Sequence, residues 1–114
     1  MANKRGSVKK YFLFAHDPGG GLAIAKVAEY LTENSSCRME IYAAGPCLDL
    51  YRRLGLKVIQ LENDIGQTLA NSSPDAVLTA TSLSAPHDRA LIREAALLSI
   101  PVMTIIDHWS NYRL

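Results

Sequence analysis

The sequence predicts a three-layer α/β/α domain, doubly wound around a mostly parallel five-stranded sheet. Three observations lead there. Five short apolar runs recur along the chain, stretches with helical spacing separate them, and clusters of Gly, Pro, Asn, Asp and Ser stand at the junctions. Strands alternating with helices force right-handed parallel crossovers, because a right-twisted strand and its covering helix pack back onto a sheet only in that sense. The expected strand order is 3-2-1-4-5, with the first strand central.

Tyr11-Phe12-Leu13-Phe14-Ala15 is continuous and apolar, as a strand buried on both faces requires, and His16-Asp17-Pro18-Gly19-Gly20-Gly21 ends it in a turn. Ile24, Val27, Ala28 and Leu31 then recur at helical spacing, with Lys26, Glu29 and Glu33 on the other side, until Asn34-Ser35-Ser36. Arg38 to Ala44 is the second strand, closed by Gly45-Pro46. Leu48, Leu50, Tyr51 and Leu54 give a short helix stopped at Gly55, and Lys57 to Leu61 is the third strand. Glu62-Asn63-Asp64 offers side-chain caps for a brief third helix to about Ala70. After the loop Asn71 to Asp75, Ala76-Val77-Leu78-Thr79-Ala80 is a fourth buried strand leading into Thr81-Ser82-Leu83-Ser84-Ala85-Pro86. The fourth helix runs from about His87 to Ser99, with Leu91, Ala95 and Leu98 inward and Arg89 and Arg93 outward. Pro101 then separates it from the fifth strand, Val102 to Ile106, which Asp107-His108-Trp109 closes.

The whole chain, 114 residues, fits one domain with one core. With 48% hydrophobic and 20% charged residues, it lies near the globular average, and disordered, collagen-like and disulfide-scaffold classes are disfavoured. A net charge of +1 lacks the basic excess that draws a protein to nucleic acid or anionic lipid. Cys37 and Cys47 have neither the spacing nor the companions of a zinc site or a disulfide framework, which favours a reducing compartment. The apolar run behind the basic start is too short for a secretory leader, so the cytoplasm is the expected location, and no stretch is long enough for a membrane helix.

In doubly wound sheets ligands bind beyond the carboxyl ends of the strands where the order reverses, here between the first and fourth strands. That edge holds His16 to Gly21, Thr81 to His87 and Asp107 to Trp109. The glycines at 19, 20 and 21 lead into a helix start, whose free amides and partial positive charge suit a phosphate or another anion. They serve equally well as a tight strand-to-helix turn. Read from Gly19, a dinucleotide fingerprint ends on Ile24 where Gly or Ala is needed, and Tyr42-Ala43-Ala44 supplies no ribose carboxylate; an NAD-linked enzyme is therefore an outsider. No Walker string is present, and a receiver domain is a poor match, because no acidic pair follows the first strand.

His16 and His108 lie on the ligand edge, adjacent in sequence to Asp17 and Asp107, and His87 stands near a helix start. A histidine titrates near neutrality and can serve as acid, base or polar clamp, or simply as a solvated or capping group. Thr81, Ser82 and Ser84 can hydrogen-bond a ligand or equally well cap the next helix. Metal binding lacks convergent ligands, no cofactor is expected, and neither cysteine nor any serine has an activating motif.

Two segments carry a family resemblance. The first is Tyr11 through Gly21; the second is Pro74-Asp75-Ala76-Val77-Leu78-Thr79-Ala80, leading through Ala95-Ala96-Leu97-Leu98-Ser99-Ile100-Pro101-Val102. On these the chain resembles the N-terminal Rossmann-like half of two-domain GT-B glycosyltransferases, including the lipid-linked N-acetylglucosaminyl transferases and relatives of UDP-sugar epimerases. The resemblance implies an acceptor-side domain that works with a nucleotide-sugar donor. By resemblance, Gly19, Gly20 and Gly21 would line the cleft between the domains, with His16 or Asp17 as base; Thr81, Ser82, Asp107 and His108 are candidate ligand contacts from their place on the same strand-end edge. In such enzymes the donor nucleotide is held mainly by a C-terminal domain, and no uridine-binding segment is recognisable here. Residues 1–114 are therefore expected to be the N-terminal part of a longer protein, or to work with a partner chain. The ending Asn111-Tyr112-Arg113-Leu114, without a stop signal, favours the former, and Trp109 and Tyr112 are candidates to pack on a further domain or on this domain's own core. The alternative from another class is a noncatalytic module that binds a nucleotide or anionic metabolite at the same edge.

Overall fold

The computed structural model describes residues 8–81 and 86–106. In chain order it contains β1 (Lys10–Ala15), α1 (Pro18–Asn34), β2 (Arg38–Ala43), α2 (Pro46–Arg53), β3 (Val58–Gln60), α3 (Ile65–Ser72), β4 (Ala76–Ala80), α4 (His87–Leu97) and β5 (Val102–Ile105). The five strands are all parallel, in the order β3-β2-β1-β4-β5. The expected Rossmann-like topology is thus the observed one. No helix among the described residues is long and apolar enough to cross a membrane.

The apolar run in β1 has the physical cause inferred for it. Phe12, Leu13, Phe14 and Ala15 are all completely buried, because β1 pairs with β2 on one side and β4 on the other while helices cover both faces. Alternation along the strand divides the core. Phe12 and Phe14 join Tyr42, Val77, Leu69, Leu91 and Ala95 beneath α3 and α4, whereas Leu13 and Ala15 join Ile24, Ala28, Cys47, Tyr51 and Ala80 beneath α1 and α2.

At the amino edge of the sheet, a polar network joins β1, β2 and the end of α3. The Lys10 ammonium donates to the Ser72 carbonyl at 2.7 Å and lies 3.4 Å from Glu40, and the Ser72 and Tyr42 hydroxyls donate to Glu40 at 2.6 and 3.0 Å. Burial opposes the charge on Glu40, yet the bonds from Ser72 and Tyr42 and the nearby Lys10 together hold its carboxyl below the usual value. The Tyr42 phenol moves the other way, pushed up to about 12 by burial and by the Glu40 carboxylate it faces. The Lys10 amide also donates to Asp75 at 2.9 Å, fixing the entry to β4.

Three local expectations need correction. The segment from Pro18 to Gly21 is not a turn before a helix; it is the first turn of α1, with Asp17 at the N-cap and the Gly21 amide donating to the Asp17 carbonyl at 2.8 Å. Pro18 at the first helical position, with its ring-fixed φ, explains the early start. Leu98 is not inward. Helix α4 ends at Leu97, Ser99 turns the chain at a φ of 59°, and Leu98 is left 43% exposed. Finally, Asp64 occupies the N-cap position of α3 but makes no capping bond; it accepts instead from Thr68.

Candidate functional site

The order reverses at β1, the strand flanked by β2 and β4, and the chain leaves its carboxyl end through His16 and Asp17. His16 Nδ1 and Asp17 Oδ1 are 2.7 Å apart, with 15% and 30% of their side chains exposed. An ionised carboxylate can only accept, so Nδ1 carries the proton and Nε2 of a neutral ring keeps the lone pair. The Nε2 edge lies against Gly45, the N-cap of α2. A Cβ at Gly45 would collide with Nε2 and come within 2.8 and 2.9 Å of Cδ2 and Cε1. Gly45 also has φ 59° and ψ −144°, a backbone region nearly closed to other residues. The His16 carbonyl accepts from the Cys47 amide at 3.1 Å, so the same residue helps position α2.

The start of α4 approaches from the other layer. The His87 ring stacks on His16 with centroids 5.4 Å apart and planes at 23°, and sits 5.8 Å from Phe14. Burial lowers the His87 pKa, the neighbouring His16 ring lowers it further, and Asp88 pulls in the opposite direction. The edge therefore joins two imidazoles and two aspartates from the ends of β1 and the first turn of α4. Among the described residues, no three His, Cys, Asp or Glu side chains converge as a metal set.

The glycines have a different place from the one expected. Gly20 and Gly21 are buried, and both face protein. A Cβ on Gly20 would lie 2.5 Å from the Ala80 Cβ, and one on Gly21 would strike Cys47 Sγ. The Tyr51 hydroxyl donates to the Gly21 carbonyl at 2.7 Å, locking α2 to the first turn of α1. Gly20 and Gly21 thus let α1 approach β4 and α2 closely, and Gly19 alone of the three is exposed. Cys47 is fully buried and its thiol pKa is raised by burial, so it is no activated nucleophile. Thr81 follows β4 at the same edge, half-buried, with its amide bonded to the Ile105 carbonyl at 3.1 Å. The N-cap of α4 is Pro86, which provides no side-chain cap, so Thr81 does not fill that position, and Ser84, also a candidate cap, lies outside the described residues. Ser82, Asp107 and His108, like Trp109 and Tyr112, lie outside the described residues.

Depressions elsewhere are chemically plainer. One of about 440 Å³ lies between α1 and the β2 face, one of about 430 Å³ at the opposite edge by Pro74 and Pro101, and one of about 380 Å³ beside Leu78 and Met103. None of the three is lined by a histidine, so the chemistry marks the carboxyl edge rather than these hollows. Sequence reasoning missed Gly45 and Asp88 and placed His87 only near a helix start. Gly45-Pro46 was read only as a strand terminator, while the meeting of His87 with His16 is a tertiary contact that no local pattern announces.

No protein-family model matches the chain, and no curated protein matches it. Function is therefore argued from the chemistry of the edge.

Proposed function

We propose that this chain is the acceptor-side domain of a GT-B-like glycosyltransferase that uses a nucleotide-sugar donor, with His16 as the base for the acceptor hydroxyl. The carrying observation is the His16–Asp17 pair, 2.7 Å apart at the strand end where the sheet order reverses. Asp17 fixes the tautomer and stabilises the imidazolium that forms when Nε2 takes the hydroxyl proton. A positioned imidazole, which can take a proton and return it, is suited to that step. The donor nucleotide is assigned to a second domain, supplied by the same polypeptide or by a partner.

The test uses the product of the entire reading frame, a panel of UDP-sugars and acceptors, and released UDP as the readout. Turnover is expected, and His16→Gln is expected to lower kcat by about 10²–10⁴-fold, the usual contribution of a positioned base, with nucleotide binding retained. Failure of every UDP-sugar to bind the intact protein would count decisively against the reading. A second reading, a noncatalytic module for a nucleotide or another anionic metabolite, draws on the start of α1. The amides of Gly19 and Gly20 precede the first helical bond at this same edge. Calorimetry on the 114-residue chain separates the two, because a complete module saturates at one ligand per chain and a half-site does not.

A further inference from the structure

Helix α4 turns Asp88, Leu91 and Ala95 toward the sheet, a spacing of three and four residues that makes one stripe. Leu91 and Ala95 join the apolar core with Phe12, Phe14 and Val77, so the head of the stripe carries a carboxylate where an aliphatic side chain would pack. Asp88 is 7% exposed and its Oδ1 has no hydrogen-bond partner. Thr79 is completely buried, and by strand alternation it shares the face of Val77 beneath α4; its hydroxyl is also unpartnered. His87 Nδ1 is the third such atom among the described residues. The three gather at one corner. Thr79 pairs with Phe14 across the β1–β4 register, the His87 ring sits 5.8 Å from Phe14, and Asp88 is the next residue along α4. Unpaired buried polar groups cost stability and are rare in native proteins, so three in one corner point to a ligand that completes them.

We infer that Thr79, His87 and Asp88 bind the hydroxyl groups of a neutral polyhydroxylated acceptor, a sugar or polyol. The inference rests on the transferase reading above and names its acceptor class. A hydroxyl donates to Asp88 Oδ1 while accepting from the Thr79 hydroxyl or the His87 ring, whereas a phosphate only accepts and is repelled by a carboxylate. Arg89 and Arg93, which could neutralise an anion, are on the exposed side of α4. The site opens at the first turn of α4, where His87 is only half-buried and Pro86 supplies no side-chain cap.

The test titrates the full chain with methyl glycosides of neutral hexoses and, separately, with hexose 6-phosphates, followed by calorimetry and by the imidazole nitrogen signals of His16 and His87. Binding of a neutral glycoside with movement of the His87 signals is expected, with Thr79→Val and Asp88→Asn each weakening it by about tenfold or more. Thr79→Val keeps the shape of the side chain and removes an unpaired hydroxyl, so it tests the inference even if Asp88→Asn unfolds the domain. Tighter binding of the hexose phosphates, or glycoside binding unaffected by Thr79→Val, overturns the assignment. UDP-sugar turnover without any neutral-glycoside binding rejects this subsite and leaves the transferase reading intact. Glycoside binding lost in Thr79→Val, in a full-length protein that turns over no nucleotide sugar, does the reverse.

Discussion

Replacing Gly20 by alanine tests whether that glycine serves packing or ligand approach. The new Cβ would lie 2.5 Å from the Ala80 Cβ and 3.8 Å from both the Ala80 Cα and the Thr81 carbonyl oxygen. Carbon atoms settle at about 3.5–4.0 Å, so α1 and β4 must separate locally by about 1 Å. Ala80 is 2% exposed and its Cβ is fixed to a strand paired on both sides, so no flexible side-chain end can absorb the shift. Overpacking of this kind costs about 1–3 kcal/mol, and the better helix propensity of alanine returns at most about 1 kcal/mol. A net loss of about 1–2 kcal/mol is expected, read as a lower urea midpoint at an unchanged denaturant slope. Ala80→Gly alone costs about 1.5–2 kcal/mol through a lost buried methyl and a strand glycine. It also removes the colliding atom, so Gly20→Ala with Ala80→Gly should be more stable than the sum of the single losses by about 1 kcal/mol or more. Strict additivity, or a Gly20→Ala variant as stable as the parent, would refute the packing role.

Three other outcomes follow from the geometry. Gly45→Ala is expected to cost about 1–3 kcal/mol from backbone strain and to displace His16, seen as a shift of the His16 ring signals larger than that of any histidine remote from it. Cys37, half-exposed, should react with a thiol reagent in the folded protein, whereas Cys47, fully buried with a raised pKa, should react only on unfolding; equal rates would contradict the packing of α2. The folded state holds His87 below its ordinary pKa of 6.5, so the unfolded chain takes up this proton first as the pH falls. Stability therefore declines as pH drops through 6.5 toward the lowered value, and urea titrations of His87→Gln across that window should show a flatter dependence than the parent.

The strands were the most legible part of the chain because burial on both faces leaves an uninterrupted apolar run, as in Tyr11 to Ala15. The start of α1 was harder. Three glycines look alike in a turn and in a helix, since they carry no side chain to show a period, and the available signal was Asp17-Pro18, an N-cap followed by a first helical proline. In α4 the inward spacing was readable from Leu91 onward, but extending it with Leu98 rather than back to Asp88 followed from counting only apolar residues. The candidate site was half legible. His16 and Asp17 are sequence neighbours and their pairing is local, whereas the approach of His87, and the clearance given by Gly45, depend on how layers and strand ends meet in three dimensions.

The Lys10–Glu40–Ser72–Asp75 knot lies at the end of the sheet farthest from His16. Reactive residues are commonly poor for stability, and here the span of the strands separates them from the contacts that clasp the layers together. The carboxyl-side loops can therefore be rebuilt, by evolution or in the laboratory, to suit a new substrate without loosening the clasp, while damage to Glu40 should melt the scaffold before it alters the chemistry.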